Sequence, residues 1–266
     1  MMMFSRVLPL LVFIPMLIGC SKDETPPAVV GPTPVVILPS VFTATSDVQA
    51  RMDEFRLALG GANNDGTPGA QSSGRREINW DAIPDSLASP FDYPSDFFNG
   101  PTAPRARGAV LTTPGTALQV SADSSNPSGA AVRFGNINPN YINTFKTFSP
   151  ERLFSPIGSN IVDLTFFVPG TSTPAVVRGF GAVYTDIDQA SNTSFEYFDI
   201  NNNSLGQFSA PVADNDLSFL GVAFPTAVVH RVRIKYGNSP LGPDDGGGTD
   251  AAVMDDFIYG EPSAAN

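Results

Sequence analysis

From Arg75 onward, turn residues cut the chain into short apolar or alternating runs about every ten positions, and this spacing restricts the fold more than any other feature. The runs cover 108–113, 118–122, 131–134, 161–168, 176–184, 194–199, 205–209, 218–224, 229–236 and 252–259. Segments this short suit strands better than helices. The clearest alternation places Val228, His230, Val232, Ile234 and Tyr236 on one parity and Val229, Arg231, Arg233 and Lys235 on the other. That is a strand with one buried and one wet face. Phe195, Tyr197 and Asp199 alternate with Glu196 and Phe198, and Asp199-Ile200-Asn201-Asn202-Asn203-Ser204 predicts a hairpin turn. These patterns predict an all-β chain, a jelly-roll-like β-sandwich over 75–262 with a tail at 263–266.

Upstream, the pattern changes period. Val48, Met52, Phe55 and Leu59 recur at helical spacing, so 48–59 reads as one short amphipathic helix. Ser46 or Asp47 would cap it and Gly60-Gly61 would end it. Residues 41–74 are thus expected to be this helix and a polar loop. Residues 20–40 carry Pro26, Pro27, Pro32, Pro34 and Pro39 and read as an extended tether. Hydrophobic residues make up 42% of the chain, enough for one sizeable core. The single cysteine excludes an intramolecular disulfide, leaving the core or a bound metal to hold a secreted domain together. With 26 acidic against 15 basic residues and a net charge of −11, a nucleic-acid partner is excluded on electrostatic grounds.

That cysteine, Cys20, closes the run Leu17-Ile18-Gly19-Cys20, preceded by Arg6 and an apolar stretch too short to span a bilayer. The run resembles the lipobox of bacterial lipoproteins. The resemblance implies that 1–19 are a signal peptide and that Cys20 carries the acyl anchor to the membrane. Ser21 stands where the inner-membrane retention signal has Asp. Cys-Ser-Lys-Asp-Glu also resembles the export signal of Bacteroidetes lipoproteins, which implies an outer-membrane, surface-exposed location; the alternative is a solvated charged linker.

The segments 74–81 (GRREINWD), 178–188 (RGFGAVYTDID) and 254–262 (MDDFIYGEP) resemble a set of secreted bacterial β-sandwich proteins of uncharacterised function. More loosely, the last four strands are similar to the closing half of jelly-roll modules in extracellular carbohydrate-binding proteins.

Chemistry-bearing residues are few. His230 is the single histidine and lies on an apolar parity, so packing explains it better than a triad. Without a Cys/His cluster a zinc site of the usual ligands is excluded. Glu196, on a strand, is a candidate catalytic acid for glycoside hydrolysis, with a solvated face as the alternative. The aspartates suit Ca²⁺ better. Asp186 and Asp188 stand two apart at a strand end, and Asp255 and Asp256 are adjacent on the last strand, facing opposite sides. Asp244, Asp245 and Asp250 lie in a glycine-rich loop just before it. The alternative is ordinary turn aspartates. Trp80, with Tyr93 or Tyr141, would form a sugar-stacking platform if exposed and a packed core if not. The expectation is a membrane-anchored binding or structural module, first for an extracellular glycan or matrix polymer. Protein interaction or scaffolding is second, and a glycoside hydrolase-like enzyme third.

Overall fold

The alternating runs assemble into two antiparallel sheets in the computed structural model, which describes residues 38–265. Cys20, the signal segment 1–19 and most of the proline-rich tether lie outside the described residues. Strand β1 (Ser40–Thr45) precedes helix α1 (Gln49–Leu59). After a polar loop come β2 (Arg75–Ile78), β3 (Ala109–Thr112) and β4 (Ala117–Val120), then a single helical turn, α2 (Tyr141–Thr144). The chain continues through β5 (Phe154–Ile157), β6 (Ile161–Phe166), β7 (Ala175–Val176), β8 (Gly179–Ile187), β9 (Ser194–Phe198) and β10 (Ser204–Ser209). It closes with β11 (Ala213–Ala223), β12 (Arg231–Lys235), β13 (Val253–Gly260) and β14 (Ser263–Ala264).

One sheet runs β1-β11-β8-β13-β5-β4, with β2 also on β13, and the other runs β10-β9-β12-β6-β3. Their facing sides enclose the main core. Phe180, Tyr184, Leu220 and Phe257 come from the first sheet, and Phe195, Tyr197, Val232, Ile234 and Leu164 from the second. The parity read in β12 holds. Val232 and Ile234 are buried, while Arg231 and Arg233 reach out to share the Asp163 carboxylate.

Helix α1 covers the outer face of the first sheet. Val48, Met52, Phe55 and Leu59 are buried against Val183, Phe219 and Ile258, a gain of about 1.5–3 kcal/mol for each large side chain. The close approach rests on two glycines. Gly181 and Gly221 pair across β8 and β11, and a Cβ on either would stand 2.8 or 2.9 Å from the Phe55 ring. Gly60 ends the helix as expected, at φ 127°. The start differs. Val48 occupies the cap with no side-chain bond, because Ser46 turns its hydroxyl to Asp216 Oδ2 at 2.6 Å.

Other departures are local. Residues 131–134 are not a strand. Arg133 and Phe134 take left-handed φ values, and Phe134 packs with Tyr141, Phe145 and Leu153 in a satellite cluster. Residues 176–184 divide into β7 and β8. Strand β1 is not among the runs that the sequence marks as strands; it pairs along β11, from Ser40 with Ala223 to Thr45 with Ser218. Strand β5, which contains Pro156, was also not anticipated, and the tail contributes Ser263–Ala264 to a short pair with β7.

A buried ion pair ties the loop after α1 to the sheet. Arg76, with no exposed surface, donates through Nη2 to Glu261 Oε1 at 2.7 Å and through Nε to Oε2 at 2.8 Å. Its remaining N–H groups bond the carbonyls of Asp65, Thr67, Gly69 and Ala106. Glu261 also accepts from Asn64 and from the Gln71 amide. Replacing Arg76 by Met is expected to cost about 3–5 kcal/mol, because a buried carboxylate and four carbonyls lose their donor. Adding Glu261→Gln is expected to restore part of that loss. Urea unfolding of both variants checks the expectation.

Candidate functional site

At one end of the sandwich the alternation of β8 breaks. Tyr184 and Ile187 both enter the main core although they stand three apart, so the inward parity changes across Asp186. Asp186 takes φ +67° there. Opposite it, β11 bulges, with Ala213 pairing Ile187 and Leu217 pairing Thr185. The bulge delivers the Asn215 amide to Asp186 Oδ1 at 2.8 Å. The other oxygen, Oδ2, is buried with no hydrogen-bond partner, and so is Asp188 Oδ1.

Asp245 completes the group. One carboxylate oxygen each from Asp186, Asp188 and Asp245 lies within 4.8 Å of the others. The loop carrying Asp245 is held on several sides. Tyr141 donates its hydroxyl to Pro243 O at 2.7 Å and accepts from the Gly242 amide at 2.9 Å. Asn138 and Asn140 both donate to Asp244 Oδ1, which directs that carboxylate to them. Asp245 Oδ1 accepts from the Ala251 amide, and Gln189 and Asn238 donate to Gly248 O. The glycine run 246–248, all at positive φ, makes the tight turn between. Asp250 accepts from the Gln189 amide at 3.2 Å.

The electrostatics are unbalanced. Burial first, and then Asp245, push Asp186 up to about 8 and Asp188 up to about 6. Among the described residues, none of the ion pairs includes Asp186, Asp188, Asp245 or Asp250. Donors here are carboxylates, the set that suits hard divalent cations.

The other two aspartates expected in a cation site are elsewhere and differently engaged. Between Met254 and Phe257, β13 advances three residues while β8 advances two, from Tyr184 to Ala182. This bulge brings Asp255 and Asp256 together, where strict alternation predicted opposite faces. Ser149 Oγ lies 2.9 Å from Asp255 Oδ1 and 2.9 Å from Asp256 Oδ1, and the Phe148 amide donates to Asp255 Oδ2 at 2.6 Å. Burial, and then the neighbouring Asp256, hold Asp255 well above the ordinary carboxylate range. The Phe148 amide and the Ser149 hydroxyl are the partners of this pair.

The sugar-stacking expectation for Trp80, Tyr93 and Tyr141 is corrected. Trp80 is 1% exposed, Tyr93 4% and Tyr141 0%. Trp80 stacks on Phe154 at 4.3 Å between ring centres, meets Tyr93, Phe98 and Phe257 edge-on, and donates Nε1–H to Asp255 O at 2.8 Å. Tyr141 sits apart, in the cluster that props the Asp245 loop. His230 bonds through Nδ1 to Ala175 O, and Glu196 accepts from Ser204 Oγ near the wet face of β12. Arg152 spans Asp85 and Asp123 in a separate polar hollow lined by Asp81, Ser124 and Glu151.

No family model matches the chain, and no curated protein and no solved structure matches it.

The acidic pair has a testable sign. A carboxyl whose folded pKa is raised binds its proton more tightly in the native state. Its contribution to stability is therefore present in acid, below the ordinary value of about 4, and is lost as pH rises through the folded value. In Asp255→Asn the amide oxygen can still accept from Phe148 and the NH₂ can donate to Ser149 Oγ. This variant is expected to match the wild type near about pH 4 and to gain on it progressively toward about pH 8. Thermal unfolding across pH checks this.

Proposed function

We propose that the chain is a lipid-anchored protein of the bacterial cell envelope whose β-sandwich serves as a protein-interaction or scaffold module. The anchor reading rests on the resemblance of Leu17-Ile18-Gly19-Cys20 to a lipobox and on the proline-rich tether that follows. Among the described residues, no helix is long and apolar enough to cross a membrane. The observation that carries the module reading is the burial of Trp80. The ring best suited to a sugar platform lies just after β2 and is the centre of an aromatic cluster with Phe154 of β5 and Phe257 of β13. Its indole N–H, the polar handle of a sugar-binding tryptophan, is used inside the protein. With Tyr93 and Tyr141 equally withdrawn, the reading of a glycan or matrix-polymer module loses its aromatic support, and scaffolding becomes the leading reading.

Chemical cross-linking in intact cells is expected to give a discrete adduct of the anchored chain, and a glycan array probed with the detergent-solubilised protein is expected to stay silent in calcium and in EDTA. Saturable array binding in either condition would overturn the scaffold reading. For the anchor, Cys20→Ala is expected to abolish palmitate incorporation and release the protein from the membrane fraction. Labelling that persists in the variant would contradict the anchor.

A further inference from the structure

We propose that Asp186, Asp188 and Asp245 bind one divalent cation, Ca²⁺, at the end of the sandwich where β8 and β11 bulge against the loop before β13. Three observations converge. The first is proximity, since the three residues offer oxygens within 4.8 Å of one another from two separate segments of the chain. The second is an unmet demand. Asp186 has no exposed surface, yet its Oδ2 lacks any hydrogen-bond partner, and Asp188 Oδ1 is likewise buried and unpartnered. A buried polar atom in that condition is rare and costly, and a bound ion is one of the few groups that satisfies it. The third is contrast within the same molecule. Buried Glu261 is met by Arg76, and Glu77 is met by Arg56 and Arg75, whereas no arginine or lysine forms an ion pair with the triad among the described residues.

The donor set selects the ion. Three carboxylates with no cysteine or histidine among them disfavour zinc and copper and favour a hard cation. Asp188 and Asp245 are only partly buried, so water can complete the 6–8 oxygen ligands that calcium takes. Asp214 and Asp250 add negative charge around the triad, which favours a divalent over a monovalent ion. The support around Asp245 makes the site rigid on one side. Tyr141, Asn138 and Asn140 fix the approach to it, and the glycine turn fixes its exit. This inference stands independently of the partner that the module engages.

The test uses the full acylated chain in detergent micelles, stripped with EDTA and dialysed. Calcium chloride is titrated to about 10 mM, above the roughly 0.1–1 mM dissociation constants of extracellular calcium modules. At tenfold excess over the dissociation constant, Tm is expected to rise by about 3–6 °C. Native mass spectrometry is expected to show a single calcium per chain. Asp188→Asn and Asp245→Asn should each abolish the rise, while Asp244→Asn, whose carboxylate faces Asn138 and Asn140, should keep it. The metal-free Tm of Asp188→Asn should equal or exceed that of the wild type, since the substitution removes repulsion when no ion is present. Because the readout is the calcium-induced rise, a variant with a lower starting Tm still reports. Absence of any calcium-induced rise in the wild type would overturn the proposal. So would a rise of the same size in both Asn variants, or an equal or larger rise with magnesium chloride.

Discussion

Arg76 lies wholly inside the protein, and the arrangement around it shows the constraint under which the fold is built. With no disulfide available, a long polar loop can be held to the sheet only by hydrogen bonds and charge. The guanidinium does this by meeting Glu261 with two bonds and four loop carbonyls with the rest. A buried carboxylate without such a partner is costly. The same rule recurs where Arg56 and Arg75 meet Glu77. Two places depart from it. At Asp255 and Asp256 the carboxyls are met by Ser149 and by the Phe148 amide, and burial holds Asp255 well above the ordinary carboxylate range. At Asp186 and Asp188 one buried oxygen each remains without a hydrogen-bond partner, and no arginine or lysine forms an ion pair with either among the described residues; the calcium ion proposed above would supply the compensating charge.

These two acidic sites frame the aromatic interior and divide its labour. Trp80 bonds the backbone of Asp255, so the indole that packs the core also fixes the bulge that pairs Asp255 with Asp256. Tyr141 reaches the backbone of the loop carrying Asp245, so a second buried aromatic positions the triad. Rings that a sequence offers as a binding platform are here the supports of acidic centres.

Much of this architecture is legible in the residues. The alternation of 231–236 places β12 and both its faces, although the parity fails just before it, where Val229 is buried and Val228 and His230 are only partly so, and the spacing of Val48, Met52, Phe55 and Leu59 places α1 and the side that it buries. Asp186 and Asp188 are recognisable as an i, i+2 pair at a strand end, and Asp245 as a neighbour in a glycine-rich loop. What strict periodicity hides is the bulge. One extra residue in β13 turns two aspartates from opposite faces to one, and a left-handed residue at Asp186 flips the parity of β8. Neither event has a composition signature, because both depend on which strand lies alongside. The same is true of β1 and β5, whose pairing is set by β11, β13 and β4 rather than by propensity, and of Ser46, drawn from the helix cap by Asp216. Burial of Trp80 is likewise a tertiary fact, since an exposed and a packed tryptophan read alike in one sequence.

The most direct test of charge compensation from outside the chain is a crystal structure of the protein grown in calcium chloride, with anomalous scattering to identify the ion. A single peak bonded by oxygens of Asp186, Asp188 and Asp245 at about 2.3–2.6 Å is the predicted result. Density with these three carboxylates bonded only to one another, to water or to a lysine or arginine would contradict it.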